Sequence, residues 1–485
     1  MMSIQTKLME FRMELISRSN FKMLEVPITR LFFILSLLMH TASVSAKTDN
    51  LRDMESLSMS DGWAIDKDES NAVKKAADML ETATPNHAYS IKNPKFLVAY
   101  FTQEFSGEKL ASAIEKRYPG VPVFGFSVLK AVFTTDGMHM GEEGVEGALA
   151  LMGFDSAGLK VGVAIQDVKT GLKDTTEDNL TKDKLMSELI NKAMANAPVE
   201  AKIKKHPSLI LMATEYSTVQ TLLNKLRDTF PIETPLSGGT PIDSKFGYGF
   251  VIGNGRSIKP AGALALLYTT KKIGTSFHGG YVGKKKSGKI TRVKEGKRGV
   301  DLATIDNRPA MEVYNEWSDG YYSDVIQKIK ETGKPQDVMK STIKPMAKLL
   351  KSAEGDRYIT IHPHRFHPDG SLTLALTVYE GDDIFYVEGS KEVLVKRAGS
   401  VVTQSMVNGK IKKSHIAGGL HLFCGGAGLG MGLSDNGPRM VAELQQTMPQ
   451  NSPFIGGFTG GEQGNLPGLG FFEGNLMSTM VVFEK

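Results

Sequence analysis

Three histidines are the clearest candidates for metal binding in this sequence. His362, His364 and His367 form an H-x-H-x-x-H pattern in a segment that the apolar spacing predicts to run from a strand into a turn. Alternate residues of a strand lie on the same face, so two of these imidazoles could bind one metal ion. Pro363 and Pro368 interrupt the segment, and no carboxylate stands at a suitable spacing. We therefore favour a solvated polar loop over a metal site.

Cys424 is the single cysteine of the chain and the main candidate for a nucleophile. It would need a base such as His415 or His421 nearby in the fold. It also ends an apolar run at residues 420–423, where a lone cysteine is more often a small buried apolar side chain. We favour that structural role. The alternative is a hydrolase or metal-dependent enzyme that uses Cys424 or the three histidines.

Other segments resemble catalytic or nucleotide-binding motifs only in part. The glycine-rich residues 425–432 follow a predicted strand, but Met431 stands where a dinucleotide-binding motif has its third glycine. Ser127 and Thr240 follow strands, but neither lies in the G-x-S-x-G pattern of a hydrolase. The sequence therefore predicts no cofactor and no catalysis.

The overall composition is that of a globular protein with more than one domain. The chain has 485 residues, of which 41% are hydrophobic and 23% charged. This length allows about two to four domains. The net charge is only +5, the basic residues are mixed with acidic ones, and no nucleic-acid-binding motif occurs. These features exclude a mostly disordered chain and argue against a nucleic-acid partner.

The N-terminal region has the order of a secretory signal peptide. Arg30 precedes the apolar residues 31–39, and Val44-Ser45-Ala46 supplies small residues for cleavage. The apolar run is much shorter than the roughly 20 residues that span a bilayer. We expect export to the periplasm or the cell exterior, cleavage near Ala46, and no transmembrane span in the mature chain. An uncleaved membrane anchor is the alternative.

A strand–helix–strand pattern occurs three times. Each copy contains an apolar run, a helix with apolar residues every three or four positions, a proline that ends the helix, and a second apolar run. The copies lie at residues 96–127, 209–240 and 420–458, and their prolines are Pro119, Pro231 and Pro449. Each is long enough for two parallel strands joined by a helix. The pattern predicts an α/β fold of two domains with mixed sheets, the first two copies in one domain and the third in the other.

The segments between the copies have weaker signals. Residues 47–91 are predicted to be a polar lead-in with one helix near residues 72–80, and the Lys- and Gly-rich residues 271–300 a solvated hairpin or linker. A short helix is expected to start near Arg308. Further strands are expected at residues 358–361, 372–379 and 384–387.

Together these features resemble the FIST family, in which a FIST N-terminal domain precedes a FIST C-terminal domain. The resemblance rests on the order of several short segments, none of them specific alone: Gly125-Phe126-Ser127, Gly238-Gly239-Thr240, Phe250–Gly255, Gly262–Tyr268, Arg308-Pro309-Ala310 with Tyr314, Glu380-Gly381-Asp382, Phe423-Cys424 and Gly456–Glu462. It implies an N-terminal domain at residues 92–300 and a C-terminal domain at residues 301–485.

Membership of this family would imply ligand binding rather than catalysis. FIST proteins are thought to bind small molecules such as amino acids and to pass the signal to an output domain. This sequence shows no output domain, so the resemblance implies a separate signalling protein as partner. It also has Gly425–Gly428 after Cys424, where family members often have an arginine.

The ligand is expected in the loops that follow the strands. In α/β sheets, ligands bind beyond the carboxyl ends of the strands. Hydroxyl groups and backbone amides there could hold a carboxylate, and Glu215 or Glu462 could bind an ammonium group. The predicted ligand-binding residues are Thr102, Gln103, Ser127, Thr214, Glu215, Gly238, Gly239, Thr240, Thr459 and Glu462.

Overall fold

Three strand–helix–strand units organise the chain, as the sequence predicts. The computed structural model describes residues 56–82, 90–168, 176–203, 206–296, 299–353 and 355–485, and residues 56–485 form one compact unit. The predicted signal peptide and the first residues of the predicted lead-in lie outside the described residues.

The first unit belongs to a repeat of six strands and two helices. Its elements are β1 (Ser58–Asp66), α1 (Glu69–Leu80), β2 (Phe96–Thr102), α2 (Gly107–Arg117), β3 (Val123–Val128), β4 (Val132–Thr134), β5 (Gly137–His139) and β6 (Gly147–Asp155). The second repeat has the same order: β7 (Lys160–Asp167), α3 (Thr176–Asn196), β8 (Leu209–Thr214), α4 (Val219–Thr229), β9 (Leu236–Gly239), β10 (Val251–Gly253), β11 (Arg256–Ile258) and β12 (Ala261–Tyr268).

The third repeat carries an insert after its first strand, β13 (Ile273–His278). The insert contains β14 (Val282–Gly296), β15 (Gly299–Ile305), β16 (Arg308–Pro309), α5 (Ala310–Trp317), α6 (Ser323–Thr332), β17 (Gln336–Asp337), β18 (Met346–Leu350), β19 (Arg357–Ile361), β20 (Pro363–Phe366), β21 (Leu372–Leu374) and β22 (Asp383–Glu388). The repeat then continues with α7 (Lys391–Gly409), β23 (Ile416–Cys424), α8 (Gly425–Met431), α9 (Leu433–Thr447), β24 (Phe454–Thr459), β25 (Glu462–Leu466), β26 (Gly470–Gly474) and β27 (Ser478–Glu484).

The two strands of each unit are parallel neighbours. β2 pairs with β3, β8 with β9 and β23 with β24, all in parallel. The helices α2, α4 and α9 each end two residues before the proline that the sequence predicts as their stop: Pro119, Pro231 and Pro449. Proline lacks the N–H that a further helical turn requires.

The three repeats build three six-stranded sheets with one common strand order. The orders are β1-β6-β2-β3-β10-β11, β7-β12-β8-β9-β25-β26 and β13-β27-β23-β24-β4-β5. In each sheet the last two strands are a hairpin from another repeat. The hairpin of the first repeat completes the third sheet, that of the second completes the first, and that of the third completes the second.

All three sheets are buried on both faces. Their inner faces share one apolar core, which includes Tyr100, Leu211 and Leu422 from the three sheets. The outer face of each sheet is covered by the helices of its own repeat. This explains why the central strands are continuous apolar runs rather than alternating ones. The insert forms its own sheet and apolar cluster around Tyr314 and Phe366.

The predicted fold class is confirmed: the protein is α/β, with repeated strand–helix–strand units and mixed sheets. The proposed boundary between domains at residue 300 stays a prediction. Several local predictions were wrong. The lead-in contributes the sheet strand β1 besides its helix. This strand was missed because it alternates apolar with small polar residues and so has no continuous apolar run. Of the two alternatives for residues 271–300, a linker is wrong, because they contain β13 and β14; β14 is largely exposed and forms a hairpin with β15. The strand predicted at 372–379 ends at Leu374.

One glycine in the outer strand of each sheet lies against a helix backbone. A Cβ atom added at Gly62, Gly162 or Gly274 would lie 2.0 Å, 2.1 Å or 2.0 Å from a carbonyl oxygen of α1, α3 or α7. Real Cβ atoms do not approach a backbone oxygen so closely. The three repeats therefore share one helix–sheet contact that only glycine permits.

Gly162→Ala is expected to destabilise the protein, because its methyl group must displace the backbone of α3 at Ala193. The loss in the free energy of unfolding should be about 1–3 kcal/mol or more, measured by chemical denaturation. Gly158→Ala is the matched control, since its Cβ would meet nothing closer than the Ser156 hydroxyl at 3.8 Å. Both changes affect the unfolded chain alike. Equal stabilities of the two variants would contradict the contact.

Candidate functional site

The chain segments that leave the second strands of the three units converge. Thr240 donates its N–H to the carbonyl of Gly461 at 2.8 Å, and Gly460 donates to the carbonyl of Thr240 at 2.9 Å. Leu129 donates to the carbonyl of Phe458 at 2.8 Å, which joins the first unit to the third. The exchanged hairpins cause this convergence, because each segment must cross to a neighbouring sheet.

The predicted site residues of the first unit tie these segments together. Ser127 Oγ donates to the carbonyl of Ile242 at 3.2 Å and accepts from the N–H of Phe250 at 3.0 Å. Gln103 donates its side-chain amide to the Ser244 hydroxyl. Both side chains therefore hold the long loop between β9 and β10 against the first sheet.

The threonines that end the first strands bond locally. Thr102 Oγ1 accepts from the N–H of Ala148 at 3.0 Å, within the first sheet. Thr214 Oγ1 lies 2.7 Å from Thr218 Oγ1, at the start of α4. The hydroxyls of Thr102 and Thr214 therefore have partners within their own repeats.

Glu215 caps a short turn of helix. Its carboxylate accepts from the N–H of Ser217 at 3.0 Å and from the hydroxyl of the same residue. Carboxylates at this position stabilise the start of a helix through its free N–H groups. The contacts agree with a helix-start role rather than with binding of an ammonium group.

Six buried polar side chains gather where the second and third units meet the insert. We call them the polar cluster: Thr240, Thr360, Arg397, Glu462, Gln463 and Asn475. Within the described part of the chain, several of their atoms have no hydrogen-bond partner: Thr360 Oγ1, Arg397 Nε and Nη2, Gln463 Oε1 and both amide atoms of Asn475. Native proteins rarely leave buried polar atoms unpaired, so such a concentration marks a place where a ligand can supply the missing bonds.

Short contacts join these residues to one another. Gln463 Nε2 lies 3.3 Å from Thr240 Oγ1. A Cβ on Gly461 would lie 3.4 Å from Asn475 Nδ2 and 3.7 Å from Thr240 Oγ1, so these groups surround Gly461 without crowding it. The N–H of Asn475 donates to the carbonyl of Thr360 at 3.1 Å. Gly238 lies beside Gln463 Oε1 and Gly239 against Thr459, so these predicted site glycines border the cluster.

Arg397 is the charged centre of the polar cluster and is only 2% exposed. Its guanidinium carbon lies 4.1 Å from the centroid of the Phe423 ring. Its Nη1 donates to the carbonyls of Gly279, at 2.7 Å, and Leu476. Among the described residues no carboxylate pairs with it, and the edge formed by Nε and Nη2 has no partner. The side chain is thus held on one face and one edge, and its second edge is free.

Glu462 is fully buried and interacts electrostatically with this guanidinium without forming an ion pair. Thr459 donates to its Oε1 at 2.7 Å, and the N–H of Met477 donates to its Oε2 at 3.0 Å. Burial raises the pKa of Glu462 to about 8, although these bonds and the charge of Arg397 lower it in part. At neutral pH the side chain is therefore mainly a neutral acid.

The residues between β26 and β27 connect the parts of the site, and we call Asn475–Met477 the strap. Leu476 accepts from Arg397, and Met477 donates to Glu462 and accepts from the N–H of Cys424 at 3.1 Å. Leu476 has φ 56°, a backbone conformation that bulky residues seldom adopt. Such strain concentrates at functional sites.

Cys424 is buried beside the strap, as predicted. Burial and the neighbouring Glu462 raise the pKa of its thiol to about 12, so the thiolate needed by a nucleophile is scarce at neutral pH. The nearby His362 is no ready base partner. Burial lowers its pKa to about 3, and its Nε2 lies 3.0 Å from Ser341 Oγ.

The three histidines of the H-x-H-x-x-H pattern do not form a common site. His362 is buried between β19 and β20, which corrects the prediction of a solvated loop. His367 Nε2 instead lies 2.6 Å from Thr373 Oγ1. In the parts of the chain that the structure describes, no three His, Cys, Asp or Glu side chains come together as metal ligands.

The structure thus brings together Thr240, Thr459 and Glu462 from the predicted set. Arg397, Thr360, Gln463 and Asn475 were missed. Arg397 had a signal in the sequence: it lies on the face of α7 that carries Leu394, Ala398 and Val401, so helical periodicity buries it. The others follow from the exchange of hairpins and the position of the insert, which no local pattern reveals.

None of the helices described here is both long and apolar enough to cross a membrane.

Comparisons with known proteins identify two family domains. The model of the FIST N domain matches residues 95–308, and that of the FIST C domain matches residues 310–465. Thr240 lies in the first match and Arg397 in the second, so the polar cluster draws on both. A search of curated proteins found no match.

The titration of Glu462 predicts a pH dependence of stability. Its folded-state pKa, about 8, lies above the ordinary 4.5, so between these values the folded chain holds a proton that the unfolded chain has lost. The free energy of unfolding should therefore fall as the pH rises, by up to about 1.4 kcal/mol per pH unit from this group.

Glu462→Gln should remove this contribution, and denaturation of both proteins between pH 5 and pH 9 tests it. Glu473, whose pKa burial raises to about 7, titrates in both proteins and cancels in the difference. Parallel pH profiles would show that Glu462 does not hold this proton.

Proposed function

Because the chain belongs to the FIST family, we propose that it is a sensory protein that binds a small polar ligand in the polar cluster. FIST domains are associated with sensory signalling. The ligand binds without being transformed, and the signal leaves through a separate protein. Amino acids are the first ligands to test, because they are small and carry both charged and hydrogen-bonding groups.

The observation that carries this proposal is the set of unpaired polar atoms around Arg397. Among the described residues, an amide, a hydroxyl and a guanidinium edge are all buried there without partners, and six of the nine unpaired buried side-chain atoms belong to the polar cluster. Leaving one such atom unpaired costs about 1–3 kcal/mol. A ligand that bonds to several of them recovers this cost, and the gain is available to drive binding.

The same contacts supply a route for the signal. A ligand at Arg397 and Asn475 touches the strap at Asn475 and acts through Arg397 on Leu476. The strap continues directly into β27, the strand between β13 and β23. Thr360 comes from the insert, so the ligand also bridges the insert and the repeats. Binding at this point can change the position of the insert, which a partner protein would detect.

The proposed site can be tested with a thermal-shift screen of amino acids and other small polar molecules. A ligand at 100 times its Kd adds about 2.7 kcal/mol of stability. Thr360→Val should weaken binding of any molecule found, by about 0.5–1.5 kcal/mol, the worth of one neutral hydrogen bond. Because Thr360 Oγ1 has no hydrogen-bond partner among the described residues, the variant should be no less stable than the wild type.

Ser60→Ala is the matched control, because Ser60 Oγ in β1 is another buried hydroxyl for which the described part of the chain supplies no partner. It should leave affinity unchanged. A screen without any stabilising molecule, or equal effects of the two variants on affinity, would contradict the proposed function.

We also propose that the protein is exported, on the strength of the apolar residues 31–39 and the small residues that end at Ala46. N-terminal sequencing of protein purified from its native cells should begin at or near Lys47. Intact residues 1–46 on protein from the cytoplasm would contradict export.

A further inference from the structure

The free edge of Arg397 has a definite shape. Nε and Nη2 lie side by side in the guanidinium plane, and their two N–H groups point in nearly the same direction. Nη1 donates to two backbone carbonyls, and one face of the guanidinium lies over the Phe423 ring. The side chain therefore cannot turn to offer other donors.

We propose that the ligand carries a carboxylate, and that its two oxygens accept from Nε and Nη2 of Arg397. This pairing gives two parallel charge-assisted hydrogen bonds, and the spacing of the two donors matches the spacing of carboxylate oxygens. The inference rests on the proposed function, because it names the chemistry of the ligand for the same site.

The charges around the edge also fit a single negative charge. Burial keeps Glu462 mainly protonated, so it does not repel an anion. Burial lowers the pKa of His278 to about 4 and that of His421 to about 3, so both are neutral. Arg397 is the one cation among the groups that perturb Glu462 and Cys424. One cation is balanced by a carboxylate, whereas a phosphate dianion would bury an excess charge.

The neighbouring side chains indicate what the rest of the ligand carries. Asn475 has both an unpaired donor and an unpaired acceptor, and Thr360 has an unpaired hydroxyl. These groups can bond to a hydroxyl or amino group close to the carboxylate. The ligand class is therefore a small carboxylic acid with a hydrogen-bonding substituent.

Matched acids and amides test this on the wild-type chain. Acetate, lactate and glycine are each compared with acetamide, lactamide and glycinamide by thermal shift and calorimetry at pH 7. At least one acid should bind about tenfold or more tightly than its amide, since the amide loses a charge-assisted bond. Inorganic phosphate at equal ionic strength should not stabilise the protein.

Arg397→Lys tests the residue, because it keeps the charge but loses the paired donors. It should weaken binding of the acid by about tenfold or more. Arg439→Lys is the control, since Arg439 is exposed and paired with Glu392, and it should not change affinity. Should the first variant not fold, NMR of wild-type protein labelled with 15N-arginine replaces it. One Nε–H resonance, protected from solvent, should shift with the acid and not with its amide.

Three results would overturn the inference. The amides could bind as tightly as their acids, phosphate could bind in preference to the acids, or a bound acid could leave every arginine Nε–H resonance unshifted. In those cases the proposed function stands, because a small polar ligand still binds. If no molecule of either panel or of the wider screen binds, the proposed function itself fails.

Discussion

The exchange of hairpins among the three repeats is the constraint on which the rest of the structure depends. The second strand of each unit, β3, β9 or β24, would be an open sheet edge within its own repeat. A hairpin from another repeat pairs with it. Unpaired edges expose backbone N–H and C=O groups and invite wrong pairing. Each repeat therefore needs the other two, which explains why residues matched by two family domains form one compact unit.

The same exchange creates the site. To reach a neighbouring sheet, the chain must turn at the end of each second strand, and these turns meet around Thr240 and Gly461. In the first two repeats the polar side chains at the turns have partners: Ser127 bonds to backbone groups of the loop between β9 and β10, and Thr240 accepts from Gln463. The third repeat departs from this pattern: α7 contributes Arg397, the strap contributes Asn475, and the insert contributes Thr360. The polar cluster thus lies where one repeat diverges from its two relatives, on a scaffold that all three stabilise.

Sequence patterns predicted the local parts of this arrangement and not its long-range pairing. Apolar runs, helical periodicity and the three prolines located the units correctly, since each depends on residues close in the chain. The hairpin strands have only three to five residues, and all three hairpins pair with strands more than 100 residues away in the sequence. No local pattern specifies such pairing. Glu215 looked like a binding residue for the same reason: its position after a strand is visible in the sequence, but its bond to Ser217 is not.

The free-energy cost of burying Arg397 with two unpaired donor groups connects the site to its proposed role. Removing a charge from water costs several kcal/mol unless the protein replaces the lost hydrogen bonds. For the Nε and Nη2 edge of Arg397, the described residues do not replace them. An apolar side chain on the buried face of α7 would give a more stable scaffold. The left-handed conformation of Leu476 adds a second cost at the residue whose carbonyl holds the same guanidinium. Both costs act on the strap and so on the start of β27. The proposed ligand, by bonding to the free edge of Arg397, would change the forces on β27, the second strand of the third sheet, so binding energy could be converted into movement at that point.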